Sequence, residues 1–296
     1  MAIPGKLPGP GSENSNRPSR FEAVQRRRKS EAAPPEWPRA HSQSYLAKES
    51  YNQVRITFML IKIGCCGFCM RRRDYARQFP VVEIQQTFYQ PPRVDTARRW
   101  RQELPPTFEF TMKAWQLITH EATSPTYRRL KTVLSQEERH QAGGFKPTVV
   151  VRRAWEATRE IALALDARVI LFQCPARFGP TLENIERMRG FFGTLDREHF
   201  TLAWEHRGEW PRPLVEELCR ELDLVPAVDP FATPPFPGPL TYFRLHGTGG
   251  YRYKFTNTDL ETLKSFLAGD QEAYVLFNNM SMAEDARRLL SFLSGA

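Results

Sequence analysis

Several short apolar segments of this chain end on side chains that can transfer protons or form covalent bonds. Glu83 and Glu205 can serve as general acids or bases, and His246 can move a proton because imidazole titrates near neutrality. Lys113 can form a Schiff base or hold a phosphate group. We therefore predict that these four residues are catalytic. The structural alternative is a Glu83–Lys113 or Glu205–Arg244 ion pair that fills the interior of the fold.

A second set of polar residues follows similar apolar segments and suits ligand binding. Arg244 and His246 precede the glycine-rich segment Gly247–Gly250, and the backbone N–H groups of such loops bind anions. The predicted ligand-binding residues are Arg244, Gln173, Gln85, His120, Tyr251, Asn278 and Asn279. Together they predict an anion site beside the catalytic candidates.

The sequence also offers oxygen and nitrogen ligands for a divalent metal ion. The candidates, whose spacing matches no recognised metal motif, are Glu83, Glu205, His206 and His246. Cys66 and Cys69 have the spacing of a metal or redox pair, but no second pair accompanies them. The cofactor is therefore open at this point, with a divalent ion as the candidate.

The chain has the pattern of eight strands that would position these residues. Eight short apolar runs alternate with segments of helical pattern, as is typical of a (β/α)₈, or TIM, barrel. The runs are Ile61–Gly64, Val81–Gln85, Phe108–Lys113, Val169–Gln173, Thr201–Glu205, Leu224–Asp229, Tyr242–His246 and Ala273–Asn279. In that fold the C-terminal ends of all strands meet at one mouth. We therefore predict a single-domain α/β barrel with its functional residues at this mouth.

Alternation along each predicted strand decides which side chains face inward, because neighbouring residues point to opposite faces. The wholly apolar set of each strand belongs against the outer helices. The opposite set then points into the barrel near its mouth: Glu83, Lys113, Gln173, Glu205, Arg244 and His246. Buried charges are costly unless they are paired, so their convergence predicts a functional site.

The helical pattern predicts where the connecting helices begin and end. A helix that opens at Ser124-Pro125 is expected to run to about His140. Thr181 and Asn257 are predicted to be N-caps. The proline-rich segment Asp229–Pro239 is predicted to be a loop.

The first 58 residues differ in composition from the rest of the chain. They carry ten Lys or Arg against five Asp or Glu, so +5 of the net charge of +9 lies there and +4 lies in 59–296. Seven prolines in 1–55 and the absence of a persistent period predict a disordered basic tail. Two further interpretations are open: the tail contacts nucleic acid, or it is a mis-assigned start and translation begins at Met59. The predicted domains are 1–58 and a barrel of 59–296.

Composition narrows the class of protein. With 296 residues, 41% of them hydrophobic, the chain is long enough for one barrel of about 250 residues. Its apolar runs are far shorter than the roughly 20 residues that cross a bilayer, so we expect no membrane span. There is no evident secretory signal, and five cysteines, three of them clustered, do not suit a disulfide framework. We therefore expect a cytoplasmic protein.

The motifs together resemble a known family. In chain order, from about Ile61 to Phe292, they are GCCGF, VVEIQQTFY, FEFTMKAWQLITH, FQCPARF, WEHRGEW, YFRLHG and VLFNN. This set is similar to the domain of unknown function 72 (YecE-like) family. The resemblance implies a TIM barrel, comparable to endonuclease-four-type and sugar-isomerase-type barrels, and it implies no established activity. The metal-ligand patterns of those enzymes have no match in this sequence.

These observations favour an enzyme, a hydrolase or an isomerase, that applies acid–base chemistry to a small phosphate- or sugar-containing ligand. The mild positive charge of 59–296 suits such a ligand. The alternative is a nucleic-acid-binding module or a metal-dependent phosphodiesterase of the endonuclease type. Nucleic-acid binding would weaken steeply with salt.

Overall fold

Eight parallel strands form a closed barrel, because each strand pairs with the next in chain order and the last pairs with the first. The computed structural model describes residues 54–56, 59–269 and 271–294. The barrel strands are β2 (Met59–Cys65), β3 (Val81–Ile84), β4 (Glu109–Lys113), β5 (Ala167–Gln173), β6 (Thr201–Glu205), β7 (Val225–Val228), β8 (Leu240–Leu245) and β9 (Glu272–Phe277). The predicted TIM barrel is confirmed.

A short strand precedes the barrel. Strand β1 (Val54–Ile56) pairs antiparallel with the start of β2, with Ile56 opposite Met59. The sequence analysis had placed these three residues in the disordered tail. The remainder of that tail, including its basic run and the proposed contact with nucleic acid, lies outside the described residues. A translation start at Met59 stays a prediction.

Helices connect the strands and cover the outside of the barrel. They are α1 (Arg72–Ala76), α2 (Gln86–Tyr89), α3 (Val94–Gln102), α4 (Gln116–Thr119), α5 (Gln136–Gln141), α6 (Val149–Leu165), α7 (Leu182–Phe192), α8 (Arg212–Glu221), α9 (Asn257–Phe266) and α10 (Met282–Ser294). None of the described helices is both long and apolar enough to cross a membrane. The single-turn helices α2 and α4, which follow β3 and β4 directly, were not predicted.

Two predicted helix features are wrong. The expected helix from Ser124 to His140 is instead a 3₁₀ turn, Pro125–Arg129, followed by the separate helix α5. Ser135 starts α5 with a capping box, so the chain nucleates a new helix rather than continuing the old one. Thr256, not Asn257, caps α9, whereas Thr181 caps α7 as predicted.

The alternation along the strands separates two apolar clusters. One parity, which includes Phe110, Phe172 and Trp204, packs in the large cluster with the outer helices. The other parity, which includes Leu171 and Tyr242, forms a smaller cluster inside the barrel. The polar residues that share the strand face of Leu171 and Tyr242 therefore point into the barrel, as predicted.

An ion-paired lysine closes the N-terminal end of the barrel. Lys62 on β2 is buried, its Nζ lies 2.7 Å from Glu109 Oε1, and it also contacts the carboxylate of Glu272. The Tyr274 hydroxyl donates to Glu109 Oε2 at 2.6 Å. Residues at this end of a TIM barrel contribute to stability rather than to chemistry.

Candidate active site

Arg244 occupies the centre of the barrel mouth and bridges two carboxylates. It lies near the C-terminal end of β8, with 1% of its surface exposed. Its Nη2 donates to Glu83 Oε1 at 2.9 Å, and its Nη1 donates to Glu205 Oε2 at 2.5 Å. The Glu205–Arg244 pair weighed from the sequence is therefore present. Glu83 also pairs with Arg244, and a Glu83–Lys113 ion pair is absent among the described residues.

The bridge keeps all three groups ionised. Burial alone would raise the pKa of Glu205, but the positive charges of Arg244 and Arg207 outweigh burial and hold it well below its usual range. Glu83 shows the same balance, in which Arg244 overcomes burial and lowers the carboxyl pKa. Burial would lower the pKa of Arg244, but the two carboxylates raise it instead. We call Glu83, Glu205, Arg244 and Arg207 the arginine–carboxylate frame. This frame stabilises charge and is poorly suited to donating a proton near neutral pH.

Hydrogen bonds hold Glu83 from its other sides as well. The Tyr242 hydroxyl donates to Glu83 Oε2 at 2.8 Å and lies 2.9 Å from Thr111 Oγ1. Gln85, a predicted ligand-binding residue, donates its amide N–H to Glu83 Oε1. Both oxygens of Glu83 are therefore engaged by side chains of the protein.

Lys113 lies at the end of β4 with 4% of its surface exposed, and no carboxylate of the described residues contacts it. Its Nζ donates to Gln173 Oε1 at 2.7 Å and lies 4.0 Å from the centre of the Phe88 ring. Burial and then the positive charge of Arg244 lower the pKa of Lys113 to about 7. The amine is therefore close to half-neutral at neutral pH, as a nucleophile or a general base requires.

Gln173 connects this lysine to the ionised frame. Its Nε2 donates to Glu205 Oε2 at 2.7 Å while its Oε1 accepts from Lys113. The bond to the carboxylate fixes the orientation of the amide, because only the N–H side can face Glu205. The predicted ligand-binding residue Gln173 thus orients Lys113.

Arg207 and His246 form an accessible rim above the frame. Arg207 Nε donates to Glu205 Oε1 at 2.8 Å, and its Nη2 lies 3.3 Å from His246 Nε2. Asp229 Oδ2 accepts from the backbone N–H of His246 at 2.8 Å and lies 3.6 Å from its Nδ1. The side chain of Arg207 is 43% exposed, so its remaining donors can meet an anion at the mouth.

His120 is buried beside Lys113 and is neutral. Its ring packs edge-on against Phe88 at 4.9 Å, and its Nδ1 lies 2.8 Å from Thr119 Oγ1. Burial, followed by the charge of Lys113, lowers the pKa of His120 to about 3. Gly143, at φ +80°, allows a close approach, because a Cβ there would lie 2.3 Å from the His120 carbonyl oxygen.

The glycine-rich loop after β8 is shaped by its own packing. Gly247 has φ +82°, and a Cβ on it would lie 2.5 Å from atoms of Tyr253. Asn279 is buried and donates to the Tyr253 carbonyl and to Asp285 Oδ2, both at 2.7 Å. A structural role therefore accounts for Gly247 and Asn279. The remaining predicted ligand-binding residues, exposed Tyr251 and half-buried Asn278, have no side-chain hydrogen bond in the described part of the chain.

The four candidate metal ligands do not form a coordination site. Within the described residues, no group of three or more His, Cys, Asp or Glu side chains could hold a metal ion. Glu83 and Glu205 are engaged by arginine, and His246 contacts Arg207. Both ring nitrogens of His206 are buried and have no hydrogen-bond partner in the described part of the chain, and burial lowers its pKa. This donor set does not fit a divalent ion, which needs several free carboxylate or imidazole donors.

Three contributors to the site were not among the predicted residues. Tyr242 shares the inward parity of Arg244, so the alternation could have included it. Asp229 closes the sixth apolar run, and Arg207 follows Glu205 at an inward spacing beyond the end of β6. Their roles depend on contacts between strands, which the pattern along one strand does not contain.

A separate cavity of about 960 Å³ lies outside the barrel. It is lined by α6 and α7, including Trp155 and Phe191, and by none of the mouth residues described above. Among its charged residues, Arg187 pairs with Glu183 one turn away. We therefore place the chemistry at the mouth, where buried ionisable groups from several strands converge.

The fold and the mouth define a TIM-barrel protein with a buried charged site at the C-terminal ends of its strands. The model of the family described as "Protein of unknown function DUF72" matches residues 70–295. The chain belongs to this family, which confirms the resemblance found in the sequence.

Individual relatives agree with this assignment. UPF0759 protein YunF of Bacillus subtilis (strain 168) is 24% identical over 256 residues, covering 74% of this chain and 85% of that protein. A DUF72 family protein of Enterococcus faecalis V583 has a similar structure, with a TM-score of 0.60, 20% identity, and coverage of 80% of this chain and 98% of that chain. A D-psicose 3-epimerase, solved in the presence of D-fructose, has a TM-score of 0.50, 12% identity and coverage of 78% and 97%. At these identities the solved structures show a shared fold.

Proposed function

We propose that this protein is an enzyme that acts on a small sugar or sugar phosphate by acid–base chemistry at the barrel mouth. The observation that carries the proposal is Lys113, a buried amine without a carboxylate contact, next to two carboxylates that are ionised by arginine. Lys113 transfers the proton. Arg207 and His246 bind the ligand from the rim.

The state of the carboxylates supports giving this role to the lysine. A general base works best when its pKa lies near the working pH. Glu83 and Glu205 have lowered pKa values, whereas that of Lys113 is about 7. Glu205 and Glu83, which the sequence analysis proposed as the acid and base, then have a positioning role: both hold Arg244, and Glu205 also orients Gln173, which binds Lys113.

The ligand class follows from the rim and from the fold. Arg207 offers unused guanidinium donors, which suit a phosphate or a carboxylate. The shared fold with a D-psicose 3-epimerase makes a ketose the carbohydrate to test first. We do not propose nucleic acid, because Phe88 already contacts Lys113 and His120, and Tyr89 stacks on Arg129.

Hydrogen exchange at the carbon next to a carbonyl tests the proposal. The full chain is incubated in D₂O with D-fructose or D-fructose 6-phosphate, and loss of the C–H signal is followed by proton NMR. We expect exchange with the wild type and a loss of about 100-fold or more in Lys113→Met, as for removal of a general base. Lys62→Met, which removes the other buried barrel lysine, is the matched control and should retain exchange.

The same assay separates the two ligand classes. Arg207→Met should raise KM for D-fructose 6-phosphate and leave KM for D-fructose nearly unchanged if the rim binds phosphate. Exchange that is absent with both sugars, or equal in wild type and Lys113→Met, would overturn the proposed function.

A further inference from the structure

Two buried lysines point into this barrel and differ in their partners. Lys62, at the N-terminal end, is 3% exposed and contacts the carboxylates of Glu109 and Glu272. Lys113, at the mouth, is 4% exposed and makes no salt bridge within the described residues. The fold thus pairs one buried amine with carboxylates, whereas the other donates to a neutral amide.

The surroundings of Lys113 suit covalent chemistry better than phosphate binding. A phosphate-binding lysine must carry its proton, yet burial and the neighbouring arginines lower the pKa of Lys113 to about 7. The Phe88 ring, 4.0 Å from Nζ, shields one side of the amine from water and would stabilise a cation formed there. Gln173 holds the nitrogen through a hydrogen bond of 2.7 Å, the one side-chain hydrogen bond that Nζ makes within the described residues.

We propose that Lys113 Nζ forms an imine with the carbonyl carbon of an open-chain ketose or ketose phosphate bound at the mouth. This inference rests on the proposed function and specifies its covalent step. The nitrogen lone pair forms the C–N bond while the carbonyl π electrons move to oxygen. That oxygen takes up both hydrogens of the neutral amine and leaves as water, so that a C=N bond remains. No oxidant or reductant is consumed.

The neighbouring groups fit the intermediates of this step. A protonated imine carries a positive charge at the former Nζ, where Gln173 Oε1 accepts a hydrogen bond and is itself fixed by Glu205. The imine also acidifies the adjacent C–H, because the cationic nitrogen draws electrons from that bond. Since Nζ is then part of the imine, this proton passes to solvent water at the mouth, and exchange at that carbon is expected from the same intermediate.

Reductive trapping tests the imine directly. The full chain is incubated at pH 7 with dihydroxyacetone phosphate and cyanoborohydride, which reduces a protonated imine to a stable secondary amine, and the modified peptides are mapped by mass spectrometry. An ordinary lysine is neutral in about four molecules per ten thousand at this pH, whereas a pKa of about 7 leaves a substantial fraction of Lys113 neutral. We expect at least about 10-fold more adduct at Lys113 than at Lys62 or at exposed lysines.

Two variants keep this test decisive. Lys113→Arg keeps a cation but removes the nucleophile, so the mapped adduct should disappear. Gln173→Glu places a carboxylate 2.7 Å from Nζ, in the position of the present amide oxygen, and should suppress the adduct by holding Lys113 protonated. Lys62→Arg should leave labelling of Lys113 unchanged.

The outcomes separate this inference from the proposed function. Adduct confined to exposed lysines would overturn the imine. If Lys113→Met nevertheless abolishes C–H exchange, the acid–base function stands without covalent catalysis. If exchange is absent as well, both are wrong. Selective adduct at Lys113 that is lost in Gln173→Glu supports both.

Discussion

Replacing Arg244 by methionine should destabilise the protein strongly at neutral pH. Arg244 is fully buried and is the shared cationic partner of Glu83 and Glu205. Removing one member of a buried ion pair leaves an uncompensated buried charge and costs about 3–5 kcal/mol. Methionine keeps the length of the aliphatic stem but not the guanidinium group, so the dependence of the loss on pH is what separates the charge from the cavity. Urea unfolding followed by tryptophan fluorescence measures it.

The pH dependence of this loss has a definite sign. In the wild type, Glu83 and Glu205 have lower carboxyl pKa values in the folded protein than in the unfolded chain. This difference stabilises the folded protein at pH values above the ordinary carboxyl pKa, and the stabilisation is lost as the pH falls through the pKa values of the folded protein. Without Arg244, burial raises the pKa of Glu83 instead. As the pH falls and these carboxyls take up protons, the stability of the variant therefore approaches that of the wild type. The difference between wild type and Arg244→Met should be larger at pH 7 than at pH 4.5.

A surface pair provides the control for this prediction. Arg98→Met breaks an exposed contact with Asp95 one turn away, which should cost only about 0.5 kcal/mol with little dependence on pH. Adding Glu83→Gln to Arg244→Met removes one stranded charge and should recover part of the stability. A loss below about 1 kcal/mol for Arg244→Met, or an equal loss at both pH values, would refute a desolvated ion triad.

Two further changes test the electrostatics of the lysine and the packing of the loop. Between pH 7 and the ordinary lysine pKa, Lys113 is mainly neutral in the folded protein and protonated in the unfolded chain. The free energy of unfolding of the wild type should therefore rise with pH in this window, by up to about 1.4 kcal/mol per pH unit. Lys113→Met should flatten this slope and Lys62→Met should not, which urea titrations from pH 7 to 10 would show. Gly247→Ala forces a Cβ to 2.5 Å from Tyr253 at φ +82° and should cost about 1–3 kcal/mol of unfolding free energy. Gly179→Ala has no neighbour within 4 Å and should be nearly neutral; equal melting temperatures for the two alanine variants would contradict this account.

Alternation of residue types made most of the barrel predictable. The run Thr201–Glu205 coincides with β6, and the other barrel strands differ from the predicted runs mainly at their ends. The same alternation placed Lys113 and Arg244 inside, because the opposite parity of each strand is wholly apolar and must pack against helices. The single-turn helix α4 carries no full helical repeat, so the sequence pattern gave no sign of it.

Partners across the barrel were not predictable in the same way. Arg244 reaches Glu83 over 161 residues, and which of the inward charges meet depends on how the strands are staggered around the barrel. The sequence therefore left Glu83 free to pair with Lys113 or to act as a base. Its actual contacts with Arg244 and Tyr242 determine its low pKa, and this is a property of the closed barrel rather than of β3.

The four groups of the arginine–carboxylate frame balance one another without the lysine, and burial is the largest cause of the lowered pKa of Lys113. Two ionised carboxylates, Glu83 and Glu205, face two guanidinium groups, Arg244 and Arg207. A proton on Lys113 would be a fifth charge, with no carboxylate in contact to compensate it, and burial makes such a charge expensive. A fold that only needed to fill its barrel would pair this lysine, as it pairs Lys62 at the other end. Burial of this lysine beside Arg244, with a neutral amide as its hydrogen-bond partner, is therefore the physical basis of the reactive amine proposed above.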